Sequence, residues 1–198
     1  AWLKRVTEIQ AVATFPVGIL IFMAAPTLFE VWLGPVLSRS PGLLESSSLV
    51  TRLMVIQMMV RALADGWIRV FYGLGLVERY ARLVSISGVL QPIIIVAAAG
   101  ILGPVFVMPA VVLVVVTTFT QLLFLPLRLE RARPGFLADI RTSLQWPLGA
   151  TLVASPLLLP LWEPQSAGWL GLCGGGYLTL IFGVLFRRFN KIRGPLVS

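Results

Sequence analysis

The sequence predicts an all-α polytopic membrane protein, a bundle of six transmembrane helices with both termini in the cytoplasm. Composition, the length of the apolar runs and the placement of basic residues each support this fold class. Of 198 residues, 58% are hydrophobic and only 12% are charged, and the mean hydropathy is +0.93. Soluble domains are about 45–50% apolar and about 25% charged, so this composition excludes a water-soluble globule.

Six apolar runs are long enough to cross a bilayer. A helix rising 1.5 Å per residue needs about 20 residues to cross about 30 Å of hydrocarbon. Strands of a transmembrane barrel would be shorter and would alternate in polarity, whereas these runs are unbroken, so we expect helices. The predicted spans are residues 9–33, 49–72, 83–102, 104–127, 142–162 and 166–186.

The segments between the spans contain turn-forming and polar residues. Residues 34–48 contain prolines and end in Ser46-Ser47-Ser48, which predicts a polar loop that finishes in a helix cap. Residues 128–141 are charged and contain Pro134-Gly135, which predicts a second long loop. The other predicted links are short: Gly73 with Gly75, Gly103-Pro104 and Glu163-Pro164.

Basic residues cluster on one side of the predicted serpentine, and the positive-inside rule assigns that side to the cytoplasm. The chain has 16 Lys and Arg against 8 Asp and Glu. No nucleic-acid-binding motif accompanies this excess, so we expect attraction to anionic lipid and no nucleic-acid partner. The clustered residues are Lys4, Arg5, Arg79, Arg82, Arg128, Arg131, Arg133, Arg141, Arg187, Arg188, Lys191 and Arg193.

The sequence lacks the residues that most metal sites and nucleophilic catalytic sites require. The sequence has no histidine and a single cysteine, Cys173. Histidine and cysteine supply the ligands of zinc and haem sites, and histidine is the base of Ser-His-Asp and Cys-His nucleophiles. We therefore expect neither an enzyme nor a bound metal or cofactor.

Two patterns distinguish the spans from plain membrane anchors. Prolines recur inside them and predict kinks, which are more typical of transporters than of rigid scaffolds. In the last span small residues recur every four positions, which predicts a groove where a neighbouring helix approaches closely. The prolines are Pro16, Pro26, Pro92, Pro109, Pro147, Pro156 and Pro160, and the small residues are Ala167, Gly171, Gly175, Thr179 and Gly183.

The second span contains a polar stripe of Gln57, Arg61, Asp65 and Arg69, spaced four residues apart. Successive members lie about 40° apart on a helix and so share one face. Arg61 is near the middle of the span, where an unpaired charge costs about 2.5–3.5 kcal/mol. The stripe is therefore expected to face a neighbouring helix or a watery cavity.

Two interpretations of this stripe remain open. In the first, Arg61 pairs with Asp65 while Arg69 extends toward the cytoplasm. In the second, all four residues line a substrate path and offer one net positive charge to an anion such as phosphate. Other polar residues within the spans are interpreted as hydrogen-bonding partners between helices. These residues are Gln91, Thr117, Thr118 and Gln121.

Two stretches resemble a known family. The first is Ala24-Ala-Pro-Thr-Leu-Phe-Glu-Val-Trp-Leu-Gly34, followed by a polar loop and an amphipathic helix. The second is Arg69-Val-Phe-Tyr-Gly-Leu-Gly-Leu-Val-Glu-Arg-Tyr-Ala-Arg82, followed by two apolar helices. Over residues 9–127 this order resembles the C-terminal part of polysaccharide or lipid-linked oligosaccharide flippases of the multidrug/oligosaccharidyl-lipid/polysaccharide exporter superfamily. Helices five and six then correspond to the extra pair of fourteen-helix members.

The resemblance implies alternating access between two lobes around a cationic cavity in a bacterial inner membrane. It implies a polyprenyl-diphosphate-linked glycan as substrate, with Arg61 and Arg69 meeting the diphosphate. The chain begins at Ala1, not at a methionine, so we expect residues 1–198 to form one membrane domain that lacks an N-terminal lobe. The alternatives are a drug or cation antiporter of the same superfamily and a structural membrane subunit without a transport site.

Overall fold

The computed structural model describes residues 2–37, 41–102, 107–163 and 165–193, and within them it contains helices and no strand. Each of the six helices is long and apolar enough to cross a membrane, so the predicted all-α, multi-pass architecture is confirmed at that level. The direction in which the termini face remains a prediction. The helices are α1, Trp2–Leu37; α2, Pro41–Gly73; α3, Val77–Leu102; α4, Met108–Ala132; α5, Phe136–Trp162; and α6, residues 167–193.

The six predicted spans occur in the predicted order, but the two long loops between them were wrong. The α1 helix continues to Leu37 and α2 begins at Pro41, so the three serines at 46–48 lie inside α2 and cap nothing. The α4 helix continues to Ala132, and only residues 133–135 separate it from α5. A helix satisfies its own backbone hydrogen bonds, so it continues past the apolar run into polar sequence.

Glycines with positive φ make both of the described sharp turns. Gly75 follows the end of α2 with φ +72°, and Gly135 precedes α5 with φ +89°, a region that side chains with a Cβ rarely adopt. The carboxylate of Glu130 accepts hydrogen bonds from the N–H groups of Gly135 (2.8 Å) and Leu137 (2.7 Å), which closes the second turn. The Gly103-Pro104 link and Pro164 fall outside the described residues.

The prolines have unequal consequences for helix geometry. Pro109 lies in the first turn of α4, where its missing N–H has no helical partner to lose. Pro156 and Pro160 lie in residues Ser155–Trp162, where α5 tightens into a 3₁₀ helix. Two other segments are π-helical, Phe119–Phe124 in α4 and Leu170–Gly174 in α6. Pro156 and Pro160 are thus the predicted kink sites where the helix type changes, whereas Pro16, Pro26, Pro92 and Pro147 lie within continuous α-helix.

The α1 helix is the centre of the bundle and packs against α2, α5 and α6. It runs antiparallel to α2, with Thr7 beside Trp67 and Gly18 beside Met59. One buried cluster joins α1, α2, the end of α4 and the start of α5, and includes Trp67 and Phe136. A second cluster joins α1, α5 and α6 around Tyr177.

Basic residues of α3 and α4 lie together at one end of the bundle. The first buried cluster joins residues near the start of α1 and the end of α2 with the α4–α5 turn. Arg79 and Arg82 at the start of α3 and Arg128 and Arg131 at the end of α4 line one cavity at that end. That this basic end is cytoplasmic remains a prediction from the charge rule.

The α3 helix lies at the periphery of the bundle. No residue from 77 to 101 is buried, and the contacts of α3 are chiefly with α2 and α4. Large apolar side chains point outward, including Val96 at 72% and Ile101 at 82% exposure. Because α3 makes few contacts with α2 and α4, a groove remains open between these three helices.

The small residues of α6 do not form the predicted interface. All five of them are exposed, and a Cβ added at Gly171, Gly175 or Gly183 would meet nothing within 4 Å. The buried face of α6 instead carries Tyr177 and Ile181. Large side chains fill the space between α6 and its neighbours α1 and α5, so the face with the small residues points away from the bundle.

Candidate functional site

The groove between α2, α3 and α4, termed the polar groove, has a volume of about 490 Å³. All four residues of the predicted stripe line it, so α2 presents one polar face to a single cavity. Polar side chains of α3 and α4 complete the lining. The polar residues of the groove are Gln57, Arg61, Asp65, Arg69, Tyr72, Tyr80, Ser87, Gln91, Thr117, Thr120 and Gln121.

The ion pair in the polar groove joins Asp65 to Arg69, with 3.0 Å between Oδ2 and Nη2. The predicted pairing of Arg61 with Asp65 is therefore wrong. On a helix, an acidic residue four positions before a basic one interacts better than the reverse order. Asp65 precedes Arg69, whereas Arg61 precedes Asp65, so the helix itself favours the observed pair.

Because Asp65 pairs with Arg69, Arg61 is the unpaired cation of the groove among the described residues. Among the residues that the structure describes, no carboxylate lies within ion-pair distance of its guanidinium. Two arginines and one aspartate line the cavity, which leaves one net positive charge. Gln57, one turn before Arg61, is only 7% exposed, whereas the other three residues of the stripe are exposed. The stripe is therefore buried at its Gln57 end and open at its Arg69 end.

The polar residues of α3 and α4 line the same groove, and their predicted role as bridges between helices was wrong. Within the described part of the chain, no hydrogen bond joins Gln91, Thr117 or Gln121 to another helix. The Oε1 atom of Gln121 is buried and accepts no hydrogen bond from the residues that the structure describes. Thr118, the fourth residue given this role, does not line the groove.

A signal in the sequence could have identified these side chains. Ser87 and Gln91 are four residues apart on α3, and Thr117 and Gln121 are four residues apart on α4. This is the spacing of the α2 stripe, which places each pair on one helix face. The sequence does not reveal that the three faces converge, because that depends on how the helices are rotated in the bundle.

A second arginine of α2, Arg52, lies at the opposite end of the bundle and has a structural role. Its Nε donates to the Phe22 carbonyl oxygen (3.1 Å), and its Nη2 donates to that of Trp162 (3.4 Å). The guanidinium also lies 3.6 Å from the ring centroid of Trp162. Arg52 therefore ties α2 to α1 and α5.

The chemistry available in the polar groove is that of binding. Its side chains supply one uncompensated guanidinium and several hydroxyl and amide groups, which donate and accept hydrogen bonds. Within the described residues, no group of three His, Cys, Asp or Glu side chains could hold a metal ion. Comparison with family models, curated proteins and solved structures finds no match to this chain. The geometry and charge of the groove therefore carry the functional interpretation.

Proposed function

We propose that the chain is one lobe of a membrane transporter whose polar groove takes the head of a lipid-linked oligosaccharide or polysaccharide precursor. Arg61 supports the proposal most, because its guanidinium lies near the middle of an apolar helix and has no ion-pair partner among the described residues. Such a charge is costly at that depth. An anion that enters the groove would offset this cost. Anion binding therefore accounts for a charge at this position, which packing alone does not explain.

The groove chemistry matches a diphosphate joined to a sugar. Guanidinium groups donate to phosphate oxygens in a planar fork, and Arg61 has this capacity unused. Asp65 pairs with Arg69, so the charge of Arg69 is partly neutralised before a ligand binds. The amides of Gln91 and Gln121 can hydrogen-bond to sugar hydroxyls. A volume of about 490 Å³ lies within the range of about 300–1,000 Å³ usual for ligand pockets.

The unequal packing of the groove walls suits alternating access. One wall, α2, is anchored in the first buried cluster through Trp67 and Phe71. The other wall, α3, buries no residue from 77 to 101. Elements with few buried contacts open at lower free-energy cost. In this proposal α3 moves, a second lobe faces its exposed side, and the polyprenyl tail stays in the lipid of a bacterial inner membrane.

The drug or cation antiporter is the weaker proposal for this groove. Such a carrier needs a carboxylate that is free to bind a proton or a cation. Asp65 is the carboxylate that lines the groove, and it lies 3.0 Å from Arg69. The groove therefore favours an anionic ligand.

The proposal is tested by substitution in the complete transporter in cells. We expect Arg61→Ala to abolish export of the lipid-linked glycan while membrane abundance stays unchanged, because the residue binds substrate in this proposal and its side chain is exposed. Arg61→Lys keeps the charge and loses the fork, so partial export is expected. Arg141→Ala is the matched control, since Arg141 is exposed on α5 and does not line the groove.

Two outcomes would overturn the proposal. If membrane abundance falls together with export in the Arg61→Ala protein, the residue has a structural role. If Arg61→Ala exports at the wild-type rate, the groove is not the substrate path, and a structural membrane subunit becomes the better interpretation.

A further inference from the structure

A second cavity lies at the basic end of the bundle, between the start of α3 and the end of α4. This cavity, termed the basic cleft, has a volume of about 520 Å³ and shares only Leu83 with the polar groove. Four arginines line it, Arg79 and Arg82 from α3 and Arg128 and Arg131 from α4. The cleft is therefore a separate feature with a higher positive charge than the groove.

Little nearby negative charge compensates these arginines. Arg82 pairs with Glu78 at 3.1 Å, and both side chains are exposed. Glu130 directs its two carboxylate oxygens to backbone N–H groups of the α4–α5 turn. Arg128 lies over the ring of Phe124, with 5.0 Å between its Cζ and the ring centroid. Within the described residues, three of the four guanidinium groups thus have no ion-pair partner.

The cleft changes from charged to apolar along the helix axes. At 1.5 Å per residue, Arg82 lies within about 8 Å of the start of α3 and Arg128 within about 6 Å of the end of α4. Phe124 and Ile86 lie about 12 and 14 Å in, and they form the apolar floor with Leu83. A bilayer whose surface meets these helix ends would hold the arginines at headgroup depth and the floor at acyl-chain depth.

From this arrangement we infer that the basic cleft binds an anionic phospholipid of the bilayer, with its phosphates among the arginines and an acyl chain on the floor. Charge complementarity selects the headgroup, and the apolar floor selects a lipid over a free anion. Basic pockets between transmembrane helices are suited to headgroups with more than one phosphate, such as that of cardiolipin. The inference is independent of the transport proposal, because it uses a different cavity.

The test uses residues 1–198 purified in a neutral detergent and titrated with cardiolipin, with bound lipid counted by native mass spectrometry. An arginine near a headgroup contributes about fivefold in affinity, so the triple variant Arg79→Gln, Arg128→Gln, Arg131→Gln should bind about 100-fold more weakly. The matched control, Lys4→Gln, Arg141→Gln, Arg187→Gln, removes the same charge outside the cleft and should bind nearly as the wild type does.

A second variant tests the apolar floor without changing charge. Ile86 is 51% exposed, so Ile86→Trp fills the cleft without disturbing a buried side chain, and we expect it to weaken cardiolipin binding about tenfold. Arg61→Ala should bind cardiolipin as the wild type does. Loss of export with intact lipid binding then separates the two proposals.

Three outcomes would overturn the inference. Wild-type protein that binds no cardiolipin has no such site. Equal weakening in the control triple variant would mean that overall charge attracts the lipid and the cleft does not. If millimolar inorganic phosphate displaces the lipid and Ile86→Trp has no effect, the cleft binds a free anion.

Discussion

Arg52 and Arg61 lie on the same helix and have opposite surroundings. Arg52 donates to two backbone carbonyl oxygens of α1 and α5, and its guanidinium stacks on Trp162. Arg61 lines an open groove and, among the described residues, has no carboxylate within ion-pair distance. The difference shows that a charge in an apolar helix can be an interhelix tie or an unsatisfied group available to a ligand.

The same contrast separates the two sides of the bundle. On one side, α1 packs against α2, α5 and α6 through two buried clusters. On the other side, α3 buries no residue from 77 to 101 and borders both the polar groove and the basic cleft. We infer that buried contacts around α1 supply most of the stability and that α3 borders the binding surfaces. Three comparisons of a packed position with an open one test the first part of this inference.

The largest effect is expected at Trp67. This side chain is 1% exposed, donates from Nε1 to Thr7 Oγ1 (3.2 Å) and packs edge-on against Phe136. Trp67→Ala should lower the free energy of unfolding by about 3 kcal/mol, the low end for such a truncation, because lipid tails soften the transfer term. Equilibrium unfolding in mixed micelles measures it.

Trp169→Ala is the matched control for Trp67, since Trp169 is 47% exposed at the start of α6. Its free energy of unfolding should change by less than about 0.5 kcal/mol. Equal losses in the two variants would contradict a stability centred on α1.

The two arginines provide an intermediate effect. Arg52→Met removes two charge-assisted hydrogen bonds and a cation–π contact, and should lower the free energy of unfolding by about 2 kcal/mol. Arg61→Met removes a charge that has no ion-pair partner among the described residues. Its free energy of unfolding should therefore stay the same or rise slightly. The same unfolding assay compares the variants, and a larger loss for Arg61 would assign it a structural role.

The smallest effect concerns two glycines. A Cβ at Gly18 would collide with the side chain of Met59 on α2, whereas one at Gly183 on α6 would meet nothing within 4 Å. Both positions are helical, so Gly→Leu changes helix propensity equally in each. Gly18→Leu should therefore be less stable than Gly183→Leu by about 1–2 kcal/mol. No difference, measured by the same unfolding transition, would mean that the small residues of α6 are covered as closely as the α1–α2 interface.

How far the sequence predicts this molecule depends on whether a feature is local to one helix. The number of helices and their order follow from apolar length, because a span must satisfy its own hydrogen bonds. Helix ends were less predictable. Residues 34–37, which include Gly34 and Pro35, and the charged residues 128–132 continue the helices, since hydrophobicity marks the bilayer and does not end a helix. The convergence of the four α2 residues on one face was predictable for the same local reason.

By itself, the sequence determined the membrane class, the six helices and the polar stripe of α2, all of which depend on composition or on spacing within a helix. Only the tertiary structure decided that Ser87, Gln91, Thr117 and Gln121 join that stripe and that four arginines surround a cleft. It also decided that the small residues of α6 point outward. These features depend on the rotation of each helix about its axis, which is set by how large side chains such as Trp67 and Tyr177 fill the bundle.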